Sequence, residues 1–297
     1  MKNVIAVVVT HNRLNNLKDC ILSLRNQTRI EDLDILIVDN ASSDGTTEYL
    51  KNQENLFCIT QANLGGAGGF YTGMKYAYDK GYEWFWLMDD DGMPRNDQLD
   101  VLLSFNKKYP QKKFLNALVL DINDHSRFAF ESQRLGSVEN VLKDEYIDDF
   151  IKPFNGTLIN RSVVERIGFI KKEMFIWGDE REYVSRAGKN GIYPTTVTGA
   201  IHYHPREKGI TVYAFPHIKV GRLLQKPEAL SHIYYRNEGY IQRNYGKGYH
   251  GLLTRMKFVF YNLVYFIRVC NMPELRKFCA SYRQGVKGIF KEEYRSR

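Results

Sequence analysis

The sequence has few cysteines, no long apolar run and no secretory leader that we recognise. The cysteines are Cys20, Cys58, Cys270 and Cys279. None belongs to a CxxC pair, so there is neither a disulfide framework nor cysteine at metal-ligand spacing, which indicates a reducing cytosol. The apolar segment 4–9 is too short for a signal peptide, because a turn follows it at once.

The longest apolar candidate for a membrane span is residues 258–267, bounded by Lys257 and Arg268. It falls short of the roughly 20 apolar residues that a spanning helix needs. Hydrophobic residues still make up 43% of the chain of 297 residues, which is enough to fill a core and argues against disorder. We therefore expect a folded protein that is soluble or peripheral to a membrane.

Negative charge is scarce at the C-terminal end of the chain. The net charge is +8, from 42 Lys and Arg against 34 Asp and Glu, and most of the excess lies in residues 251–297. A basic, aromatic segment is typical of a surface for anionic lipid headgroups or nucleic acid, or of a solvated helical face. No basic aromatic motif of RRM type supports nucleic-acid binding, so we expect no nucleic-acid partner.

The first half of the chain alternates strand-like and helix-like segments. Strand-like runs at 4–9, 35–38, 56–60 and 84–88 are separated by segments with helical spacing. This alternation predicts an α/β fold with a mostly parallel sheet, whose ligands bind beyond the carboxyl ends of the strands. The polar residues that follow the four strands are Thr10, Asn12, Arg13, Asp39, Asn63 and Asp89–Asp91.

The second half is less regular. Further strands are predicted at 114–120, 154–159 and 193–200, and the polar segment 121–149 is predicted to form a loop or lid. After Pro205 the pattern indicates helices, with breaks near 246–251 and at Pro273.

Three adjacent carboxylates, Asp89-Asp90-Asp91, follow the fourth strand. Their mutual repulsion is costly unless a cation or solvent offsets it, and hard divalent cations bind carboxylate and phosphate oxygens. Alternate residues of an extended chain point the same way, so Asp89 and Asp91 can address one ligand while Asp90 faces away. A solvated acidic turn is the alternative, but the position at the sheet edge favours a cation site.

The glycine-rich stretch 63–69, Asn63-Leu64-Gly65-Gly66-Ala67-Gly68-Gly69, precedes a helix. Glycines let the backbone approach a phosphate closely, and a helix N-terminus favours anions. The stretch matches neither GxGxxG nor a Walker loop, so taken alone it is equally typical of a flexible loop.

A second group of carboxylates, Asp179, Glu180 and Glu182, opens a predicted helix. Carboxylates at this position either cap the helix or, as a general base, deprotonate an acceptor hydroxyl. Trp177, just ahead of them, offers a flat face on which a sugar can stack.

Two histidines, His202 and His204, close the last predicted strand. A neutral imidazole can bind a metal ion, although a lone histidine is more often structural. The HxH pattern at a strand end favours a metal role, with His204 as the preferred ligand.

The four motifs of the first half resemble family 2 glycosyltransferases. These motifs are Val7–Arg13, Ile37–Thr46, Asn63–Phe70 and Met88–Gly92. Trp177–Tyr183 and Gly199–His204 resemble the base and metal-histidine motifs of the branch that contains bacterial galactofuranosyltransferases and rhamnosyltransferases. The resemblance covers about residues 3–205, and its motifs are specific for the family but much less so for the sugar.

The resemblance implies a GT-A type fold, an inverting mechanism and a Mn²⁺ or Mg²⁺ cofactor. Residues 1–205 would form the catalytic domain, with nucleotide binding in about 1–95 and acceptor binding in about 96–205. Residues 206–297 would form a helical, basic and aromatic region.

The resemblance also assigns roles to individual residues. The implied nucleotide-sugar ligands are Thr10, Asn12, Arg13, Asp39, Asn63, Gly65, Gly66, Asp89 and Asp90. The implied metal ligands are Asp89, Asp91 and His204, and the implied acceptor contacts are Trp177 and Glu182. Glu180 lies where the family usually has an Asp as the base, so the base is either Glu180 or Asp179.

We therefore expect transfer of galactofuranose from UDP-galactofuranose to a glycan or lipid-linked glycan, in synthesis of a bacterial surface polysaccharide such as O-antigen or capsule. The alternatives are a rhamnosyltransferase that uses dTDP-rhamnose and a non-catalytic module that binds a sugar nucleotide. The enzyme would be cytoplasmic and peripheral at the inner face of the cell membrane, which it would contact through residues 251–297. The helix in this segment is not cleanly amphipathic, so the alternative is that part of it packs against a partner subunit of a homo-oligomer or against the catalytic domain.

Overall fold

The central strand, β1, is the apolar run Val4–Thr10, and all seven of its residues are buried. Burial of every residue requires cover on both faces of the sheet, which the helices between the strands supply. β1 pairs in parallel with β2 (Leu33–Asp39) and β4 (Trp84–Asp89), and β2 pairs in parallel with β3 (Phe57–Thr60). The computed structural model describes residues 2–130, 134–151, 154–206 and 209–290.

Among the described residues, five further strands extend this sheet. They are β5 (Met93–Pro94), β6 (Phe114–Asp121), β7 (Tyr146–Asp148), β8 (Thr157–Asn160) and β9 (Thr195–His204). The strand order is β3-β2-β1-β4-β8-β6-β9-β5, and β7 pairs with β9. The antiparallel pairings are short, whereas β6 and β9 pair in parallel along most of their length. Most of the pairing is therefore parallel, which confirms the predicted α/β class.

In the described part of the chain, six helices accompany these strands. They are α1 (Leu14–Arg25), α2 (Thr46–Lys51), α3 (Gly65–Asp79), α4 (Gln98–Lys108), α5 (Val138–Val141) and α6 (Arg161–Ile167). Helix α3 packs against β1 through glycine: a Cβ added at Gly69 would lie 2.4 Å from Val9 Cγ1, and one at Gly73 would lie 2.2 Å from Val7 Cγ1. These two glycines are therefore required by helix–strand packing, since any side chain would push α3 away from the sheet.

The segment 121–149 is not simply a lid. Its described part contains α5 and β7, and β7 pairs antiparallel with β9, where Tyr146 lies opposite Val197. Tyr146 also packs edge-on against Phe105 and Tyr109. The prediction of a loop was wrong for these residues. β7 is a short strand in a polar segment, and it is stabilised by pairing with β9, which lies far along the chain, so the local sequence pattern does not indicate it. Residues 131–133 lie outside the described part.

The chain forms two compact units. The first contains the described residues of Met1–Lys172 and Ala187–Glu207, and the second those of Glu173–Arg186 and Lys208–Glu293. Helix α7 (Asp179–Lys189) begins in the second unit. The functional division of the chain at residue 205 stays a prediction.

The second unit combines a hairpin with helices. It contains β10 (Thr211–Phe215), β11 (Val220–Leu224), α8 (Ser231–Tyr245), α9 (Gly248–Arg268) and α10 (Met272–Val286). The prediction that the chain is helical directly after Pro205 was wrong, because β10 and β11 form an antiparallel pair. Lys219 closes the hairpin in a left-handed conformation, and β-branched and aromatic residues favour its strands. The breaks predicted near 246–251 and near Pro273 are confirmed, because α8 ends at Tyr245 before α9 begins at Gly248, and α9 ends at Arg268 before α10 begins at Met272.

Helices α8 and α10 cross at two glycines. A Cβ at Gly285 would lie 1.8 Å from the carbonyl oxygen of Arg236, and one at Gly239 would lie 2.4 Å from that of Tyr282. The backbones therefore approach more closely than any side chain allows. Within the described ranges, each helix is too short or too polar to cross a bilayer.

Candidate active site

The carboxyl ends of four parallel strands converge at one edge of the sheet. In the strand register, Thr10 of β1 lies beside Asp39 of β2, Val9 lies beside Asp89 of β4, and Asp39 lies beside Thr60 of β3. The loops that carry Arg13, Asn63 and the acidic triplet leave the sheet from these positions. The fold thus brings the first-half candidates together, as expected for ligand sites in parallel sheets.

Asp90 is built into the protein rather than directed to solvent. It is 3% exposed, and Oδ2 accepts a hydrogen bond of 2.7 Å from Thr10 Oγ1. Arg13 Nη1 lies 3.3 Å from Asp90 Oδ1 and 2.6 Å from Asp91 Oδ2. Burial raises the pKa of Asp90 to about 6, although Thr10 and Arg13 act in the opposite direction. Asp90 therefore joins β1 to the triplet. Direct contacts of Asp90, Thr10 and Arg13 with a nucleotide sugar stay a prediction.

Asp91 and His204 form the closest candidate pair for a cation. His204 Nε2 lies 3.1 Å from Asp91 Oδ1, and His204 Nδ1 donates to the carbonyl oxygen of Pro205 at 2.6 Å. That bond leaves Nε2 of a neutral imidazole as an acceptor that faces a second acceptor, Asp91 Oδ1. Two acceptors at this distance repel each other unless a proton or a metal ion lies between them.

The two groups are electrostatically linked. Burial acts to lower the pKa of His204, but the hydrogen bond and charge of Asp91 outweigh it and raise the pKa. Burial acts to raise the pKa of Asp91, and His204 and Arg13 outweigh it, so that this pKa is lowered. The environment therefore favours positive charge next to the Asp91 carboxylate.

The pair also fits a metal ion in its geometry. Adjacent ligands of an octahedral cation with bonds of about 2.1 Å lie ~3.0 Å apart, close to the distance between Asp91 Oδ1 and His204 Nε2. Asp91 Oδ1 is buried and accepts no well-directed hydrogen bond from the described residues. In the described ranges no group of three His, Cys, Asp or Glu side chains is arranged around one metal position. The role of Asp89 as a third ligand therefore stays a prediction.

His202 has a different environment from His204. It is fully buried, Nδ1 lies 3.2 Å from Gln98 Oε1, and Nε2 has no hydrogen-bond partner among the described residues. Burial lowers the pKa of His202 to about 3, so the ring is neutral. A Cβ at Gly92 would lie 2.3 Å from His202 Nε2. His202 thus packs beneath the turn after the triplet, and the choice of His204 as metal ligand stays a prediction.

The loops after β1 and β2 are tied together by side chains. Asn12 has a positive φ of 54°, and its Oδ1 accepts from the backbone N–H of Ser43 at 2.6 Å. Asp39 is fully buried, and its two carboxylate oxygens accept from the Ser42 N–H and the Thr47 hydroxyl. Asp39 shapes its own loop, and its predicted contact with the nucleotide stays untested.

His11 is a residue that the sequence reasoning missed. Its Nδ1 donates to the carbonyl oxygen of Asn40 at 2.7 Å, which leaves Nε2 to accept from Asn63 Nδ2 at 3.2 Å. Asn63 in turn accepts from the backbone N–H of Gly65 at 3.0 Å. His11 therefore connects the ends of three strands to the start of α3. Its position in the first motif, between Thr10 and Asn12, is the feature of the sequence that could have identified His11 as a candidate.

The glycines of the stretch 63–69 have separate roles. Gly65 has a positive φ of 70°, which begins α3 in a conformation that side chains disfavour. Nothing lies within 4 Å of a Cβ placed at Gly66, so that position is open to a ligand. Gly69 serves the packing of α3 on β1.

Trp177 and the start of α7 lie on a strained loop of the second unit. Phe175 and Trp177 have positive φ values of 64° and 59°, and such residues cost about 1 kcal/mol or more each. Asn237, fully buried in α8, donates from Nδ2 to the carbonyl oxygens of Met174, Ile176 and Trp177 at 2.8, 3.0 and 3.0 Å. Asn237 therefore holds the loop in place, and no local pattern in the sequence indicated this role.

The carboxylates of α7 differ in accessibility. Asp179 is 4% exposed and Glu180 is half-buried. Glu182 is 2% exposed, forms an ion pair of 2.8 Å with Arg186 and accepts from the Tyr245 hydroxyl at 2.6 Å. Glu182 thus has a structural role in the second unit, and its predicted contact with an acceptor stays untested.

Arg181 and Glu238 fix α7 to α8 within the same unit. The second contact of this bidentate pair, from Arg181 Nη2 to Glu238 Oε2, measures 3.2 Å. Lys226 lies 4.6 Å from the centre of the Trp177 ring, a cation–π contact. The indole that was predicted to stack on a sugar therefore already has a cationic neighbour on the hairpin side of the unit.

Comparison with known proteins places these features in a family. The family described as Glycosyl transferase family 2 matches residues 5–168. Galactofuranosyltransferase GlfT1 of Mycobacterium tuberculosis is 31% identical over 254 residues, which cover 81% of this chain and 82% of GlfT1. The dTDP-rhamnosyl transferase RfbF of Shigella flexneri is 25% identical over 201 residues, 64% of each chain.

A solved structure agrees with the fold. The crystal structure of S. aureus TarS 1–349 in complex with UDP superimposes with a TM-score of 0.56 at 14% sequence identity. The superposition covers 90% of this chain and 72% of the TarS chain. The mixed α/β sheet with a largely helical C-terminal region thus has the GT-A type fold.

Proposed function

We propose, from the premise that the chain belongs to glycosyltransferase family 2, that it transfers galactofuranose from UDP-galactofuranose to a glycan with inversion at the anomeric carbon. The difference between two similarities supports this donor. The identity to GlfT1 extends over about four-fifths of both chains, whereas the identity to RfbF is lower and extends over less of each. The acceptor in this proposal is a growing, lipid-linked glycan of a bacterial surface polysaccharide.

The pairing of Asp91 with His204 at 3.1 Å is the observation that carries a metal-dependent mechanism. In the proposal, Asp91 and His204 hold Mn²⁺ or Mg²⁺, and Asp89 contributes from the end of β4. A bound divalent cation supplies charge neutralisation for the departing nucleoside diphosphate. Arg13, which contacts two carboxylates of the triplet, adds positive charge at the same edge.

The donor nucleotide would lie along the edge formed by the first three strand ends. Asn12, Asn63 and Gly66 are among the residues there with accessible surface or open space, and they would contact the uracil, ribose or diphosphate. The buried Thr10 and Asp39 would act through the loops that they order. The open space at Gly66 and the start of α3 suit an anion.

Glu180 is our proposed base. A carboxylate takes the proton of the acceptor hydroxyl while the hydroxyl oxygen bonds to the anomeric carbon, and the bond to the diphosphate breaks. This single displacement needs no covalent enzyme intermediate. The half-buried Glu180 is better suited than Asp179, which is almost completely covered.

The donor is tested by incubating the purified protein with manganese, a synthetic glycan acceptor and either UDP-galactofuranose or dTDP-rhamnose. We expect product from UDP-galactofuranose only, identified by mass spectrometry. Product from dTDP-rhamnose alone would establish the rhamnosyltransferase, the alternative that the similarity to RfbF favours.

The metal pair is tested with Asp91→Ala. We expect loss of transfer and of manganese dependence together, and a weaker effect of manganese on the thermal stability of the protein. The matched control is Asp79→Ala, which removes an exposed carboxylate of α3 that forms an ion pair of 2.7 Å with Lys75. Full activity of Asp91→Ala in the presence of a chelator would contradict the cation role.

The base is tested by comparing Glu180→Gln with Asp179→Asn. We expect Glu180→Gln to retain binding of UDP, measured by calorimetry, while turnover falls by a factor of at least about 100. A greater loss in Asp179→Asn would transfer the role to Asp179. If both variants and Asp91→Ala left cellular polysaccharide unchanged, the chain would instead be a non-catalytic binding module.

A further inference from the structure

Most of the large apolar side chains that the described chain exposes belong to the second unit. Twelve of the sixteen lie there, and five of the twelve lie on α9. These five, which we call the apolar stripe, are Tyr249, Leu252, Met256, Phe260 and Ile267, and each is 52–74% exposed. Contiguous exposed apolar surface on this scale is typical of an interaction site rather than of scattered surface residues.

The apolar stripe follows the helical repeat. Its members are separated by three, four, four and seven residues, so they lie on one side of α9 over about 27 Å. Asn262 does not interrupt it, because that side chain is 5% exposed and donates to the carbonyl oxygen of Phe258 within the helix. The exposed side of α9 is therefore apolar along most of the helix.

The hairpin β10–β11 continues the same surface. The Phe215 ring lies 6.2 Å from that of Phe260 in the stripe, and Arg268 Nη2 donates to the carbonyl oxygen of Tyr213 at 3.2 Å. Ile218 and Val220 at the hairpin tip are 69% and 40% exposed. The hairpin thus adds apolar residues at a turn that is packed beside α9.

The charge of these two segments has one sign. Residues 209–226 and 246–273 contain no Asp or Glu. Their basic residues are Lys219, Arg222, Lys226, Lys247, Arg255, Lys257 and Arg268. These seven account for nearly the whole net charge of +8, so the rest of the chain is almost neutral. An apolar stripe flanked only by Lys and Arg is complementary to apolar acyl chains beneath anionic headgroups.

We propose that the apolar stripe, together with Ile218 and Val220, docks on an anionic lipid bilayer. Helix α9 lies in the plane of the headgroups, its apolar side in the acyl region and its basic residues at the phosphates. A second copy of the chain is a poorer occupant, because a self-complementary contact would bring two surfaces of the same charge together. The proposal depends on the second unit alone and holds whichever sugar is transferred.

The test is flotation of the full chain with vesicles in a density gradient. One set of vesicles is phosphatidylcholine, and the other contains phosphatidylglycerol as the anionic component. We expect binding to the anionic vesicles, weaker binding to the neutral ones, and release as salt is raised. Flotation with neither set, or equal flotation with both at every salt concentration, would overturn the proposal.

Two double variants separate the apolar and the charged contributions. Leu252→Gln with Met256→Gln is expected to weaken vesicle binding at least about tenfold, since both side chains leave water when the helix docks. Lys219→Gln with Lys257→Gln is expected to weaken binding to the anionic vesicles about tenfold or more, with little effect on the neutral ones. The charge variant carries the test if the apolar variant fails to fold.

The matched control is Leu22→Gln with Leu142→Gln, which removes two leucines that are 59% and 50% exposed in the first unit. We expect this control to float like the wild type. An equal loss in the control, or a stripe variant that dissociates a dimer but floats normally, would contradict the proposal. Transfer to a soluble acceptor is expected to be unchanged in all three variants, so failure of the docking surface is distinguishable from failure of the proposed chemistry.

Discussion

Replacing Asn237 by alanine tests whether one buried amide maintains the loop before α7. Its two N–H groups serve three carbonyl oxygens, those of Met174, Ile176 and Trp177. The variant leaves the partly buried carbonyls of Ile176 and Trp177 without this donor, at a cost of about 1–3 kcal/mol each. We therefore expect the second unit to lose about 3 kcal/mol of stability. For a cooperative unit of about 100 residues this corresponds to a decrease in Tm of about 12 °C or more.

The assay is thermal unfolding followed by far-UV circular dichroism and by tryptophan fluorescence. Trp177 lies in this loop, whereas Trp84 and Trp86 are buried in β4. In a Trp177→Phe background only Trp84 and Trp86 fluoresce, so comparison with the unchanged background separates the unfolding of the loop from that of β4. If Glu180 is the base, kcat should fall along with stability, because the loop that precedes α7 becomes mobile.

Two further variants define what the result means. Asn237→Asp keeps the volume but directs a carboxylate oxygen at the same carbonyls, so we expect a loss at least as large as in Asn237→Ala. Asn244→Ala removes an exposed amide from the same helix, whose Nδ2 donates to the carbonyl oxygen of Tyr240 at 2.8 Å, and should cost less than about 0.5 kcal/mol. Equal melting of Asn237→Ala and Asn244→Ala would refute the reasoning.

Four other substitutions test packing and the donor edge. Gly285→Ala should destabilise the second unit by about 3 kcal/mol in chemical denaturation, because the new Cβ meets the backbone of α8. Its control, Gly188→Ala, should be neutral or stabilising, because the nearest atom to the new Cβ is 3.9 Å away. Gly69→Ala should lower Tm by displacing α3 from Val9, and an unchanged Tm would contradict the packing argument. His11→Ala should raise the KM for the donor several-fold with a smaller effect on kcat, and steady-state kinetics with an unchanged KM would remove His11 from the site.

Much of the first unit could be predicted because its signals are local. Each parallel strand is a short apolar run that ends in a polar residue, and helices with regular apolar spacing separate the runs. Parallel pairing then forces all the carboxyl ends to one edge. The convergence of Thr10, Asp39 and Asp89 therefore followed from the order of elements, before any contact was known.

The sequence could not distinguish a ligand-binding polar residue from one that orders a loop. Asp39 and Asp90 follow strands just as Asn63 does, yet both are almost completely buried and already hydrogen-bonded. Burial depends on the whole set of packed neighbours, and the same residue type has either role. For the same reason the glycines at 65, 66 and 69 have three different environments within one short stretch.

The sequence by itself determined the order of the elements in the first half of the chain, the acidic edge of the sheet and the basic, carboxylate-free segments near the C-terminus. Tertiary structure alone decided which residues meet across long separations: His204 with Asp91, and Asn237 with a loop 60 to 63 residues earlier in the chain. It also decided that residues 211–224 form a hairpin and that one side of α9 is left exposed. These outcomes depend on which surfaces the neighbouring elements cover, and periodicity along the chain cannot encode that.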